Sequence, residues 1–228
     1  MNNKDWSEKI LQKIDPSFKH RWIIYEEILE SSLNAQTNWL DCGCGNNEMI
    51  NNFGCFTKNA IGIDIIDPIY KTNYLKADLK KLPFISQTAD LLTLRFVVEH
   101  FENSDEYINE LFRVCKKGGK IIVLTTNIFS PLIFLPRLLL PYSIKNKILI
   151  KLFKVIDDDV FPTHHKLNSS NRFNRLNSKF NIKELIFISD INYTRKSIFI
   201  FFLFWHIITK PKYLNRFRTN LLVVLEKK

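Results

Sequence analysis

The segment that most constrains the fold of this chain is Trp-Leu-Asp-Cys-Gly-Cys-Gly at residues 39–45. A short apolar run ends in an acid, two glycines follow at alternate positions, and a helix-compatible stretch comes next. This order is typical of a turn from a parallel strand into a helix at which nucleotide-type cofactors bind. Glycine permits the tight turn and lets a ligand approach where a Cβ would collide. The segment therefore predicts a cofactor-binding loop.

Later segments repeat the pattern of a short apolar strand followed by an acid or a glycine turn. Ala60-Ile-Gly-Ile-Asp64 ends in an acid about 20 residues after the glycines, where dinucleotide-binding βαβ units hold ribose hydroxyls. The further segments are Lys76-Ala-Asp78-Leu79, Ala89–Leu94 and Lys117-Gly-Gly-Lys-Ile-Ile-Val-Leu124.

These motifs, in this order, resemble those of class I S-adenosylmethionine-dependent methyltransferases, especially the group that includes the ubiquinone and menaquinone methyltransferases. The motifs that carry the resemblance are Leu40–Gly45, Asp64, Asp78-Leu79, Val97-Val98-Glu99-His100 and Gly118-Gly119. The resemblance covers roughly residues 36–127 and, weakly, the last strand. It implies S-adenosylmethionine as the cofactor.

The resemblance also implies roles for individual residues. Asp41 and the glycine loop form the floor under the methionine part, Asp64 binds both ribose hydroxyls, and Asp78 accepts from the adenine amino group. Arg95 stands where the family usually has a small or neutral polar residue, so it faces either the substrate or a structural acid. The predicted cofactor residues are Asp41, Gly43, Cys44, Gly45, Asp64, Ile65, Asp78, Leu79 and Arg95.

Two histidines are candidate catalytic residues. A hydroxyl nucleophile needs a general base for methyl transfer. The resembled motif has a histidine at the position of His100. That histidine either acts as the base or positions the helix that follows. His164 and His165 lie in a segment that we expect to cover the site. Their neighbours resemble a Phe-Pro-Thr-His/Tyr stretch that occurs in relatives encoded near polysaccharide genes. We take His100 and His164 as candidates, with a surface role for His164 left open.

Apolar periodicity and turn residues predict an α/β fold, a Rossmann-like, doubly wound, mostly parallel seven-stranded sheet with helical cap insertions. Two helices over 7–34, broken at Asp15-Pro16, lead into it. We expect a single domain over 1–228, with a core of 36–127 plus 180–228 and a cap insertion over 128–168. The predicted strands are 38–42, 60–65, 74–78, 89–95, 120–126, 182–188 and 221–225, and the predicted core helices are 46–54, 104–115 and 168–180.

The region after Asn127 differs from the core in composition. Ile128–Tyr142 is almost wholly apolar and has prolines at 131, 136 and 141, a spacing that cannot sit inside one regular helix. A cationic amphipathic stretch, 145–154, and the acidic run 157–159 follow. The apolar stretch 198–208 would make a helix of roughly 16 Å, too short to span a bilayer. These segments predict a substrate lid with an interfacial surface, or a small helical cap that packs on itself.

Charge is distributed unevenly along the chain. Residues 1–127 contain 15 Lys/Arg and 17 Asp/Glu, whereas residues 128–228 contain 18 and 6. A basic half indicates an anionic partner, for example a membrane surface, or simply a solvated basic surface.

The four cysteines have no C-x-x-C spacing, so we expect no metal site and reduced thiols in the cytoplasm. The first residues lack the apolar core of a signal peptide.

The sequence thus predicts a methyltransferase that transfers a methyl group to a small-molecule or to a lipid- or saccharide-linked acceptor, at oxygen or carbon. The protein is expected in the cytoplasm or on the periphery of the membrane. One alternative is an RNA methyltransferase, favoured by the basic half, but no Asn-Pro-Pro-Tyr-type motif supports a nucleic-acid partner. Another is a non-catalytic, membrane-associated binding protein of the same fold.

Overall fold

A computed structural model of the protein describes residues 3–139 and 162–228. Within these residues it contains a seven-stranded sheet of order β3-β2-β1-β4-β5-β7-β6. The strands are β1 (Asn38–Cys42), β2 (Asn59–Asp64), β3 (Tyr74–Lys76), β4 (Ala89–Arg95), β5 (Cys115–Thr126), β6 (Phe180–Ile188) and β7 (Asn220–Lys227). The helices are α1 (Asn3–Ile14), α2 (Arg21–Ser32), α3 (Glu48–Phe53), α4 (Ser104–Val114), α5 (Pro131–Leu139), α6 (Ser170–Asn174) and α7 (Lys196–Ile208).

The first five strands pair in parallel. β1 pairs with β2 on one side and with β4 on the other, β2 pairs with β3, and β4 pairs with β5. The chain therefore runs outward in one direction from β1 to β3 and then in the opposite direction from β4 to β5. This reversal creates a topological switch point between β1 and β4. The predicted Rossmann-like, mostly parallel α/β sheet is confirmed.

The chain divides into two compact units. The sheet unit comprises Tyr25–Thr126, Thr163–Ile186 and Leu221–Lys228. The helical unit comprises Met1–Ile24, Asn127–Pro162 and Phe187–Asn220.

The core of the sheet unit consists of strands that are buried along most of their length. β4 and β7 are almost continuously buried, as expected for strands covered on both faces. Helix α4 is amphipathic and buries Ile108, Leu111 and Val114, which recur every three residues. Ser169 caps the short helix α6, because its side chain accepts a hydrogen bond from the Arg172 N–H.

The helical unit has a core of its own between α1 and α7. Leu11, Ile191, Phe199 and Leu203 are buried together, and the Trp6 ring meets the Phe199 ring edge-on at 5.7 Å. A buried polar pair lies in the same unit, where His206 Nε2 is 2.9 Å from Asp15 Oδ2.

Two of the three prolines of the apolar segment, Pro131 and Pro136, lie in helix α5. Pro131 is the first residue of the helix, where no backbone donor is needed. Pro136 comes only three residues before the end at Leu139, so it disturbs one turn at most. Pro141, the cationic stretch 145–154 and the acidic run 157–159 lie outside the described residues. Across the described ranges, every helix is too short or too polar to cross a membrane.

Candidate active site

The switch point brings together the ends of three strands that carry predicted site residues. The loop Gly43–Gly45 follows β1, Asp64 ends β2, and Arg95 ends β4. β1 lies between β2 and β4, with Asp41 opposite Gly62 on one side and Thr93 on the other. Ligands of open α/β sheets bind outside the carboxyl ends of the strands at such a point.

The two glycines of the loop are required for different reasons. Both have left-handed backbone, with φ of +75° at Gly43 and +55° at Gly45. A Cβ on Gly43 would lie 2.3 Å from Val97 Cγ2, whereas a Cβ on Gly45 would meet no atom within 4 Å. The N–H groups of Gly43 and Cys44 donate to the Ile63 carbonyl oxygen at 2.7 and 3.1 Å. The loop is therefore held against β2 and is open above Gly45.

Asp64 is joined to this loop through its carboxylate. Oδ2 accepts from the Gly45 N–H at 2.8 Å, and Oδ1 accepts from the N–H groups of Ile65 and Ile66 at 2.7 and 3.2 Å. Because a carboxylate has about four acceptor positions, one position remains for a ligand. Ile65, beside it, exposes 55% of its surface, which gives a planar ring an apolar surface to lie on.

Asn47 occupies the position where the resembled family often has a third glycine. It is left-handed, with φ of 62°, as expected from the tolerance of asparagine for this conformation. Its Nδ2 donates to the carbonyl oxygens of Tyr70 and Thr72 at 3.0 and 2.9 Å. The side chain thereby ties the segment after β2 to the start of α3.

Asp41 lies at the bottom of the site and is 1% exposed. Its Oδ1 accepts from the Thr93 hydroxyl at 2.6 Å, and Trp39 Nε1 donates to the same hydroxyl oxygen at 2.8 Å. Its Oδ2 has no hydrogen-bond donor among the described residues and faces Arg95 Nη2 at 3.8 Å. Burial raises the pKa of Asp41, and Arg95 and Thr93 oppose that rise.

The position of Arg95 answers a question that the sequence left open. Its guanidinium lies beside the structural acid Asp41 and 5.7 Å from the centre of the buried Tyr25 ring. Thr93 and Tyr25, which complete this cluster, were missed in the sequence. The signal for Thr93 was a single hydroxyl within the apolar strand β4, whereas Tyr25 gave none, because it lies 16 residues before Asp41 on another element.

Asp78 and Leu79 follow the short strand β3 next to Asp64. The Ala77 N–H donates to the Asp64 carbonyl oxygen at 3.0 Å, which fixes this stretch against the end of β2. Asp78 is exposed, and its Oδ1 accepts from the Lys80 N–H at 2.9 Å. Leu79 is buried, so only its backbone is suited to contact a ligand.

The two candidate catalytic histidines come together through backbone contacts. His100 ends a 3₁₀ turn over Val98–His100. The N–H groups of His164 and His165 donate to the carbonyl oxygen of Glu99 at 2.7 and 3.0 Å. The segment that carries His164 is therefore anchored next to His100, and both side chains are half-buried.

A buried polar chain behind these histidines was missed in the sequence. Glu99 is 4% exposed and accepts from the Thr125 hydroxyl at 2.8 Å. Asn168 Nδ2 donates to the Thr125 hydroxyl oxygen at 2.6 Å. These contacts fix the 3₁₀ turn to the end of β5, and no local sequence pattern indicates them because Thr125 and Asn168 are 43 positions apart.

Phe96, directly after Arg95, also went unnoticed in the sequence. It has φ of +55°, which is strained for a bulky side chain, and its N–H donates to the Leu124 carbonyl oxygen at 2.8 Å. Backbone strain of this kind concentrates at functional sites, so Phe96 belongs with the residues of this site.

The cysteines of the loop are neutral at physiological pH. Burial raises the pKa of the Cys44 thiol to about 12, with Asp41 and Asp64 adding to the rise, and burial also raises the pKa of Cys42 well above its usual value. Cys115 is buried too, whereas Cys55 is exposed. Within the described part of the chain, no cluster of three or more His, Cys, Asp or Glu side chains is suited to a metal ion.

A family profile described as "Methyltransferase domain" matches residues 40–123, the stretch that contains the glycine loop and the ends of β2 and β4. The predicted resemblance to the class I S-adenosylmethionine-dependent methyltransferases is confirmed over this stretch. Domains of this class use S-adenosylmethionine.

Relatives of known name are similar to a short part of the chain. The ubiquinone/menaquinone biosynthesis C-methyltransferase UbiE of Vibrio vulnificus is 32% identical over 62 residues, which are 26% of this chain and 24% of that protein. The demethylmenaquinone methyltransferase of Streptomyces avermitilis is 37% identical over 46 residues, 20% of each chain. The chain thus spans about a quarter of the length of the curated relatives it matches.

Solved structures show the same fold over nearly the whole chain. A putative methyltransferase from Bacillus halodurans aligns over 89% of this chain and 97% of its own, with a TM-score of 0.54 and 18% identity. An S-adenosylmethionine-dependent methyltransferase from Mesorhizobium loti aligns over 90% and 96%, with a TM-score of 0.58 and 14% identity. At these identities the likeness concerns the fold.

The residues of the methyltransferase domain fit the cofactor of its class. Three carboxyl groups lie around the loop, those of Asp41, Asp64 and Asp78, whereas Arg95 supplies a single guanidinium. S-adenosylmethionine carries a sulfonium and a zwitterionic amino-acid end, a net charge of about +1, which an acidic site complements. Asp41 Oδ2 lacks a hydrogen-bond donor, and an ammonium group would supply one.

Proposed function

We propose that the protein is an S-adenosylmethionine-dependent methyltransferase that acts on a small-molecule or a lipid- or saccharide-linked acceptor, at carbon or oxygen. The observation that carries the proposal is the hydrogen bond of 2.8 Å from the Gly45 N–H to Asp64 Oδ2 at the switch point. It links the glycine loop to the acid that ends β2, and it leaves open space above the loop. That arrangement suits a ligand with both a ribose and an amino-acid end.

Each part of the cofactor has a proposed partner. Asp41 accepts from the ammonium group of the methionine part, and Arg95, 3.8 Å from Asp41 Oδ2, binds its carboxylate. Asp64 accepts from a ribose hydroxyl through the acceptor position that its three backbone partners leave open. Asp78 accepts from the adenine amino group, with the Leu79 backbone as a donor and the exposed Ile65 against the ring. The loop Gly43–Cys44–Gly45 gives the methionine part a floor without side chains above Gly45.

The nature of the acceptor is supported only by the named relatives. The relatives are C-methyltransferases of ubiquinone and menaquinone biosynthesis, which favours a small apolar ring methylated at carbon. The family profile, however, covers only residues 40–123, and acceptor pockets lie in elements outside this common part. A lipid- or saccharide-linked acceptor methylated at oxygen therefore stays within the proposal.

The cofactor supplies a methyl group on a sulfonium, and the protein aligns the acceptor behind it. The bond from sulfur to the methyl carbon breaks as the bond from the acceptor atom to that carbon forms, and a neutral thioether leaves. Orientation and exclusion of water account for most of such catalysis. The acceptor loses a proton, and we assign its removal to His100, which follows Glu99 in the chain, or to His164, whose N–H donates to the Glu99 carbonyl oxygen.

The proposal is tested by incorporation of labelled methyl groups into separated lipid, small-molecule and RNA fractions of a cell extract. We expect label in the lipid or small-molecule fraction. With the acceptor identified, His100→Gln or His164→Gln lowers kcat by about 10²-fold or more without weakening the binding of S-adenosylmethionine.

His20→Gln is the matched control, because His20 belongs to the helical unit and is expected to leave turnover unchanged. Label that enters RNA alone would contradict the proposed acceptor class and favour an RNA methyltransferase. Binding of the cofactor without transfer to any fraction would favour a non-catalytic protein of this fold. Full turnover in both histidine variants would remove them as bases.

A further inference from the structure

Helix α7 of the helical unit presents an apolar face outward as well as inward. Its inner face buries Phe199, Leu203 and His206. Its outer face leaves five large apolar side chains exposed by 37–62%, at positions that recur at helical spacing: Ile200, Phe201, Phe204, Ile207 and Ile208. Exposed apolar stripes of this kind mark interaction sites on proteins.

Cationic and aromatic residues stand at both ends of α7 along the chain. Lys196 begins the helix, and the exposed segment directly after it reads Lys210-Pro-Lys212-Tyr213, with Tyr213 76% exposed. Arg216 follows and is exposed as well. Between residues 189 and 220 the chain has six Lys/Arg and a single acid, Asp190. An apolar stripe with cations and an exposed tyrosine at its end is characteristic of surfaces that lie in the headgroup region of a membrane.

We propose that the outer face of α7 binds an anionic membrane surface, with the helix lying in the plane of the bilayer. The apolar side chains enter the boundary between headgroups and acyl chains, and Lys212 and Arg216 contact phosphate groups. The helix has 13 residues, which is about 20 Å and too short to span the hydrocarbon layer. An in-plane orientation also leaves the inner face in the core of the helical unit.

Charge complementarity favours a lipid surface over the other occupants of such a face. Lys210 is paired with Asp15 at 3.2 Å, whereas Lys212 and Arg216 extend from the exposed segment after the helix. A second copy of the chain would place this cationic segment against an identical one, which like charges oppose. Anionic headgroups supply the opposite charge and the apolar layer together.

The proposal is tested by co-sedimentation of the full chain with vesicles of phosphatidylcholine alone or mixed with phosphatidylglycerol. We expect binding to the anionic vesicles at 50 mM NaCl, at least tenfold stronger than to the neutral ones, and a marked decrease at 500 mM NaCl because surface charges are screened. The double substitution Phe201→Gln/Phe204→Gln should weaken binding at least tenfold, since it removes apolar surface while keeping a good helix former. Lys212→Glu/Arg216→Glu should abolish the preference for anionic vesicles.

Matched controls come from the sheet unit. Ile69→Gln/Ile85→Gln removes apolar side chains that are 72% and 82% exposed, and Lys58→Glu/Lys117→Glu reverses two exposed cations; both should bind like the unmodified chain. Failure of the unmodified chain to bind anionic vesicles overturns the proposal. So does binding that survives both pairs of α7 substitutions. A dimer that Phe201→Gln/Phe204→Gln dissociates, without vesicle binding, would assign the face to a second copy. Vesicle binding requires no methyl transfer, so the result is independent of the proposed activity.

Discussion

At the scale of single residues, the two loop glycines differ in what surrounds them. Gly43→Ala adds a methyl group 2.3 Å from Val97 Cγ2 at a left-handed position, so it combines backbone strain with overpacking and should cost about 2–5 kcal/mol. Gly45→Ala meets no atom within 4 Å and should cost only about 1 kcal/mol of backbone strain. Thermal denaturation measures both, at about 2–4 °C per kcal/mol for a chain of this size.

The affinity for S-adenosylmethionine should rank the two variants in the reverse order, with the larger loss in Gly45→Ala. The methyl group of Gly45→Ala points into the open space of the site, so this variant should lose affinity for S-adenosylmethionine while it stays folded. Equal melting temperatures for the two variants would contradict the account of the loop, as would unchanged affinity in Gly45→Ala.

The site residues that were predictable from sequence are those fixed by local chain geometry. The glycines, Asp64 and the left-handed Asn47 follow from short-range turn requirements. The partners of Asp41 do not, because Thr93 and Arg95 approach it across the sheet. Only the strand pairing of β1 with β4 brings them together, and nothing in the local pattern specifies that.

At the scale of elements, Asn47 and Gly62 form a coupled pair at the junction of β2 and α3. A Cβ on Gly62 would lie 1.9 Å from Asn47 Oδ1, so Gly62→Ala should destabilise the protein by about 3 kcal/mol. Asn47→Gly removes two hydrogen bonds, at about 1 kcal/mol each. In the double variant the alanine has room on that side, although Cys44 Sγ remains at 3.0 Å.

Denaturant unfolding of the two single variants and the double variant measures this coupling. We expect the double variant to lose about 1–2 kcal/mol less than the sum of the single losses, since residues in contact are not additive. Additive losses would show that Asn47 does not fill the space above Gly62. Hydrogen exchange in residues 65–73 should rise in Asn47→Gly, because its side chain holds Tyr70 and Thr72.

The boundaries of helices and strands were predictable where an apolar run ends at residues that interrupt regular structure. The limits of β1 and β4 match the prediction, and α1 and α2 are separated at the predicted Asp15-Pro16 break. β5 begins at Cys115 rather than at 120, because Cys115 already pairs with Ala89, and the register shift before the Leu91–Lys120 pair keeps the turn around Gly118 within the strand as an irregularity. Helix α5 contains Pro131 and Pro136, whereas Pro141, the third proline of the predicted interruption, lies outside the described residues.

At the scale of the whole molecule, the buried pair of Asp15 and His206 makes stability dependent on pH. Burial lowers the pKa of His206, against the raising effect of Asp15. Burial alone would raise the pKa of Asp15, but hydrogen bonds from Ser17, His206 and Lys210 lower it below its usual range. Both folded pKa values are depressed, so the unfolded chain binds more protons and stability is lost as the pH falls.

We expect the free energy of unfolding to fall first below pH of about 6.5, where His206 of the unfolded chain takes up a proton, and further below about 3.9, where Asp15 does. Urea unfolding between about pH 8 and 3 measures both parts of this decline. His206→Gln should flatten the curve below about pH 6.5, where the histidine of the unfolded chain takes up its proton. A stability that rises as the pH falls through this window would contradict the account.

The architecture of the whole chain was only partly predictable. The order of strands and acids gave the α/β sheet and its cofactor edge, because each motif implies its own strand end. The two compact units interleave along the chain, and composition does not reveal this, since the helical unit takes residues from three separate stretches. The outward apolar face of α7 was likewise visible only as an apolar run, with no indication of which side would be buried.

The central claim is that Asp64 and the glycine loop hold S-adenosylmethionine, and calorimetric titration of the purified chain tests it most directly. We predict micromolar binding that Asp64→Ala weakens by about 10²-fold, the equivalent of one strong hydrogen bond to a charged group. Asp67→Ala, which changes an exposed acid three residues away, should bind normally, and melting curves show whether each variant is folded. Absence of binding by the unmodified chain, or equal binding by folded Asp64→Ala, would contradict the account.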